Sequence, residues 1–151
     1  MLTFLCVSCA DTESDPLSYQ NGNIRAEISI LKNGCRIGAL LYISDSGDAS
    51  LTLTSPETVA GTEIKRIGGA VSVTGCGLSF ESSDFISAAE LFMLDGYVSS
   101  AELAELGGKK LTRLYVEADG EKYEVYLSDR NTPVRILSER LTVDIIWFEA
   151  D

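Results

Sequence analysis

Around Asn33-Gly34 the sequence alternates between apolar and polar side chains on both sides. Before the dipeptide, Ile24, Ala26, Ile28 and Ile30 alternate with Arg25, Glu27 and Ser29; after it, Ile37, Ala39, Leu41 and Ile43 alternate with Arg36 and Gly38. A period of two belongs to a half-buried strand, and Asn-Gly takes the positive φ angles of a two-residue type I′ turn. Asn23 to Lys32 and Cys35 to Ile43 are therefore expected to pair as a hairpin with one face in the core. Leu51-Thr52-Leu53-Thr54 continues as a third strand.

The same reading carries along the rest of the chain. Ser55-Pro56-Glu57 reads as a cap, a first-turn proline and a first-turn acid, with Gly61 ending the helix after about one revolution. Short strands are expected at Glu63 to Ile67, Ala70 to Thr74 and Gly77 to Phe80, divided by Gly68-Gly69 and Gly75-Cys76-Gly77. The period then changes. Phe85, Ala88, Ala89 and Phe92 follow the caps Ser83 and Asp84 at helical spacing. A second helix is expected from Ser99, where Glu102 completes a capping box, Leu103 and Leu106 share one side, and Gly107-Gly108 stops it. Strands resume at Leu111 to Glu117 and Lys122 to Leu127 around Asp119-Gly120, then at Val134 to Leu137 and Leu141 to Phe148. In the last strand Leu141, Val143, Ile145 and Trp147 share a face, with Ile146 and Phe148 on the other. Strands, a helical insert and more strands make an α+β fold: a curved antiparallel sheet with helices packed over one face.

Composition narrows the chemistry. Of the 151 residues, 12 are Lys or Arg, 23 are Asp or Glu and none is His, for a net charge of −11. An acidic chain without a basic cluster repels phosphate backbones, so no nucleic-acid partner is expected. The lack of His removes Ser-His-Asp and Cys-His nucleophiles, His-ligated zinc and imidazole acid–base chemistry. No G-x-S-x-G is present, and the two glycines of Gly75-Cys76-Gly77 fall short of a dinucleotide fingerprint. Asp45-Ser46-Gly47-Asp48 lacks the spaced oxygen ligands of a calcium loop. Asp45, Asp48, Glu81, Asp84, Glu102, Glu105 and Asp119 fall at turns, caps or helix surfaces, where solvation accounts for them. The expectation is a non-enzymatic protein with no cofactor and no metal.

Residues 1–16 stand apart. Met1 to Ala10 carries no charge, and Asp11-Thr12-Glu13-Ser14-Asp15-Pro16 is a polar, turn-forming run. The apolar stretch is shorter than the roughly 20 residues that span a bilayer. It resembles the end of a bacterial lipoprotein signal in which Cys9 receives the diacylglycerol, the alternative being an apolar N-terminal strand. On that resemblance residues 1–16 are signal and tether, residues 17–151 are one domain, and the protein is extracytoplasmic and anchored to the bacterial cell membrane. Cys35 and Cys76 remain, either as a disulfide closing a loop of about 40 residues or as two buried thiols.

Ser55-Pro56-Glu57, Gly61, Ile64, Gly68-Gly69, Val71, Val73 and Gly77-Leu78 carry a further likeness, as do Thr132-Pro133-Val134-Arg135-Ile136 and Val143 to Phe148. The chain resembles the family of periplasmic lipoprotein carriers and outer-membrane lipoprotein receptors, nearest to small Gram-positive lipoproteins of this type. The resemblance implies an incomplete barrel closed by helices over an apolar groove, with Phe85, Phe92, Leu103 and Trp147 as its lining and a lipid or acyl chain as ligand. Two alternatives stay open: these side chains fill the core, or the fold serves an envelope protein partner instead of a lipid.

Overall fold

The computed structural model describes residues 15–75 and 87–151. Cys9, Cys76, Phe85, Glu81, Asp84 and the strand expected at Gly77 to Phe80 lie outside the described residues.

The described chain forms ten strands: β1 (Ile24–Lys32), β2 (Cys35–Ile43), β3 (Ala49–Ser55), β4 (Glu63–Ile67), β5 (Ala70–Thr74), β6 (Gly96–Leu106), β7 (Lys109–Ala118), β8 (Glu121–Leu127), β9 (Pro133–Leu137) and β10 (Thr142–Ala150). They make one open antiparallel sheet in the order β5-β4-β3-β2-β1-β10-β9-β8-β7-β6. The first and last strands pair at the centre, so the chain runs outward to one edge, crosses to the other edge, and returns. Ile30, Ala26 and Ile28 of β1 meet Ile37, Leu41 and Ala39 of β2. The same face continues through Leu51, Ile64, Val143, Ile136, Val125 and Leu114, all buried. We call it the inner face.

The hairpin turns follow the sequence. Asn33 and Gly34 take φ of 49° and 79°, and Asp119 and Gly120 take 51° and 78°, the left-handed conformations of a type I′ turn. The expected helical revolution after Pro56 is a succession of turns, with Val59 N–H donating to Pro56 O and Thr62 N–H to Val59 O.

Of the two helices expected over one face, the second is corrected, and the first begins outside the described residues. Among the described residues, helical structure is limited to the 3-10 turn Ser18–Gln20 and residues 87–90. The helix expected from Ser99 is β6. Gly107 and Gly108, read as a helix stop, adopt φ of 58° and 77° and fold Leu106 back against Lys109. The local preference of Ala101-Glu102-Leu103-Ala104-Glu105-Leu106 for helix is worth only tenths of a kcal/mol per residue, and the template offered by β7 overrides it.

Residues 87–92 pack against the inner face. Ala88, Ala89, Leu91 and Phe92 are buried in one apolar cluster with Leu17, Tyr19 and the inner-face residues of β1 to β4 and β7 to β10. Phe92 stacks on Phe148 at 6.4 Å between ring centroids, and Tyr19 meets Phe148 edge-on at 6.2 Å.

Candidate binding surfaces

Of the described residues expected to line one groove, Phe92 and Leu103 lie on the inner side of the sheet and Trp147 on the outer. Phe92 is fully buried on the inner face. Leu103 is 87% exposed on β6 at the rim of the sheet. Trp147, half-exposed, pairs with Glu27, and Glu27 pairs with Leu40. Leu40 is exposed between the buried Ala39 and Leu41, so Trp147 lies on the outer face.

A β-bulge explains why strict alternation misplaces Trp147. The β1–β10 register shifts between Glu27 and Ile28, so that Glu27 pairs with Trp147 while Ile28 pairs with Ile145. Ile146 is the extra residue. An insertion of one residue reverses the faces of everything beyond it: Trp147 turns outward, and Phe148 turns in to reach Phe92.

The outcome is an exposed apolar patch. Leu40, Tyr42, Ile146 and Trp147 all retain large exposed areas, and Arg25, Ser50 and Thr52 join Leu40, Tyr42 and Trp147 around a shallow depression of about 300 Å3. Aromatic and Arg side chains on such a surface are the types that anchor protein–protein contacts.

An outer-face ladder crosses the other half of the sheet. Glu102, Arg113, Tyr126, Arg135, Asp144 and Ser29 are successive cross-strand partners from β6 to β1. Arg113 bonds Glu102 and donates to Tyr126 Oη at 3.3 Å. Arg135 Nε donates to Asp144 at 2.5 Å, and Arg36 donates to Asp144 at 3.1 Å and to Ser29 Oγ at 2.9 Å. Partial burial works to raise the Asp144 carboxyl, but the hydrogen bonds from Arg135 and Arg36 outweigh it and hold the group below its ordinary value. Sequence reasoning missed this row because its members are neighbours only across strands.

Beside the ladder, Ser99, Ser100, Tyr115, Glu117, Tyr123 and Leu137 contribute to an open cleft of about 600 Å3. Hydrogen bonding to Glu117 raises the Tyr97 hydroxyl above its ordinary value. A second, more polar recess of about 450 Å3 lies where Glu90 and Asp95 face Asp119, Tyr123 and Arg140. Among the described residues, no three His, Cys, Asp or Glu side chains gather as a metal site. No described helix is long and apolar enough to cross a membrane. Cys35 is an exposed, free thiol at the start of β2. That corrects the buried-thiol reading for this residue, while its pairing with Cys76 involves a position outside the described residues.

No protein-family model matches the sequence, and no curated protein matches it. Among solved structures, an uncharacterized conserved protein from Thermus thermophilus is similar at a TM-score of 0.50 and 9% identity, over 91% of this chain and 84% of that one. The Pseudomonas aeruginosa MucA/MucB complex gives 0.47 and 13%, over 88% of this chain and 53% of that one. The LolA superfamily protein NE2245 from Nitrosomonas europaea gives 0.43 and 10%, over 87% of each. This chain thus spans about half the length of its match in the MucA/MucB complex. At such identities the likeness to the Thermus protein shows a shared fold and leaves the ligand to be argued from the surfaces themselves.

Proposed function

We propose that the chain is a non-enzymatic, extracytoplasmic protein, tethered to the membrane through Cys9, that binds another envelope protein on the surface of its sheet. The observation carrying this reading is the exchange of faces at the β10 bulge. Phe148 closes the inner face against Phe92, and Trp147 joins Leu40 and Tyr42 on the solvent side. Among the described residues the rings of Tyr19, Phe92 and Phe148 pack together on the inner face, whereas Leu40, Tyr42 and Trp147 leave apolar area facing outward, as an interaction surface does.

The test is photo-crosslinking in living cells, with the crosslinking residue at position 40 or 147 and, as control, at the exposed turn position Glu57. A discrete protein adduct from 40 and 147, absent from 57, is the expected result. Adducts to lipid alone would overturn the reading.

Carriage of an acyl ligand keeps one supporting observation. Ala101 and Leu103 continue the apolar inner face beyond Leu114 and Thr112 to the rim, where both are exposed. A chain lying along that rim would bury apolar surface at roughly 25 cal/mol per Å2.

A further inference from the structure

Among the described residues β6 is an outermost strand that pairs on one side only, with β7. The free side of an edge strand presents a row of unpaired N–H and C=O groups, which proteins usually blunt with short length, Lys or Pro. β6 spans 11 residues and contains no Lys, Arg or Pro. Its one interruption is the bulge at Ser99, whose hydroxyl donates to the Tyr115 carbonyl at 3.1 Å. Beyond it Ser100 to Leu106 stay in unbroken register with β7, a template roughly 24 Å long at about 3.4 Å per residue. The strand is held from behind: Arg113 bonds Glu102, Tyr115 Oη donates to the same carboxylate at 3.0 Å, and the Arg113 guanidinium lies over the Tyr115 ring at 5.0 Å. An edge fixed in this way loses little freedom when a partner adds to it.

We infer that the free edge of β6 accepts an extended, basic segment of a partner protein as an eleventh strand. The inference rests on the protein-binding reading and gives the partner its chemistry. Charge decides between occupants. The ionised side chains of β6 are Glu102 and Glu105, with Asp95 just before the strand and Glu117 opposite Tyr97, in a chain of net charge −11. The nearest cations stand on β7, behind the strand, where Arg113 is engaged by Glu102 and Glu124 and Lys110 stands opposite Glu105; a strand added to the free edge meets the β6 acids first. A second copy of this chain would bring the same acids to the same edge, and like charges across paired strands oppose association. A basic strand meets the opposite balance. Its apolar residues would cover Ala101 and Leu103 on the inner face, and its Lys or Arg residues on the outer face would reach Glu102; Glu105 shares the inner face with Leu103.

The probe is a nine-residue peptide alternating Lys with Val and Thr, added to the full chain in detergent micelles. Two controls accompany it: a copy N-methylated at alternate backbone nitrogens, which keeps the charge but cannot complete a ladder, and a copy with Glu for Lys. The unmodified peptide is expected to slow amide exchange in β6 at least tenfold, and the N-methylated copy to bind at least tenfold more weakly. The acidic copy is expected to leave β6 unprotected. Leu103→Lys, at a position too exposed to affect folding, is expected to weaken binding at least tenfold at unchanged stability. Equal binding of the methylated and unmodified copies, protection outside β6, or a peptide-free dimer that protects β6 would each overturn the inference. Such a failure, with protein adducts from positions 40 and 147 intact, removes the edge site alone; lipid-only adducts at those positions remove the protein-binding reading and the edge site with it.

Discussion

Replacing Phe92 with Ala separates a filled core from a ligand groove. Phe92 is fully buried, and its ring stacks on Phe148 with the planes 10° apart. Truncating a fully buried Phe costs about 3 to 5 kcal/mol, and an aromatic pair worth about 0.5 to 1.5 kcal/mol beyond its area places this site toward the upper end. In a domain of this size each kcal/mol shifts Tm by about 2 to 4 °C, so a fall of about 6 to 20 °C is expected. Leu103→Ala removes a side chain that is 87% exposed and is expected to stay within about 0.5 kcal/mol of the parent. Urea titration followed by Trp147 fluorescence measures both. A loss below about 1 kcal/mol for Phe92→Ala would refute the reasoning, because a ring lining an open groove gives up little packing when it is removed.

Three further outcomes follow from the same contacts. Because the folded-state carboxyl of Asp144 lies below its ordinary value, its contribution to stability is complete above the unfolded value and is lost as pH falls through the folded one, below about pH 4; Asp144→Asn should flatten that acid limb in a stability-versus-pH series, and an unchanged limb would show that the Arg36 and Arg135 contacts do not form in solution. A Cβ at Gly96 would meet the Glu117 carbonyl oxygen and Ala118 Cβ, so Gly96→Ala is expected to cost about 1 to 3 kcal/mol and to accelerate amide exchange first in β6; unaltered β6 protection would mean that the strand is not seated against β7 there. Cys35, exposed beside its hairpin turn, should react with a thiol reagent in the native protein within minutes, and resistance until reductant is added would instead place it in a disulfide.

The parts of the fold legible in the sequence were those encoded by neighbours in the chain. Asn33-Gly34, Gly68-Gly69 and Asp119-Gly120 sit between strands and take the positive φ that their residue types allow. Gly107-Gly108 has the same turn geometry, but the capping box and Leu spacing before it pointed to a helix, and only pairing with β7 decides otherwise. Trp147 shows a second limit. Its face depends on the bulge opposite Glu27 and Ile28, and nothing in the local alternation of β10 reports an event set by its partner strand. The Glu102–Arg113–Tyr126–Arg135–Asp144 row draws on five strands, so it becomes visible only once their registers are known. Phe92 was legible as an apolar residue at helical spacing; that it fills the inner face rather than lining a groove follows from its stacking on Phe148, which the bulge turns inward.

The most direct test of a filled inner face with binding on the outside is native mass spectrometry of the full chain purified from the cells that produce it, paired with solvent extraction that separates covalently attached from non-covalently held lipid. The expected spectrum shows no stoichiometric non-covalent lipid. One acyl species per chain, lost when Phe92 is replaced by Trp in a protein that still folds, would contradict the central claim and restore the inner face as a carrier site.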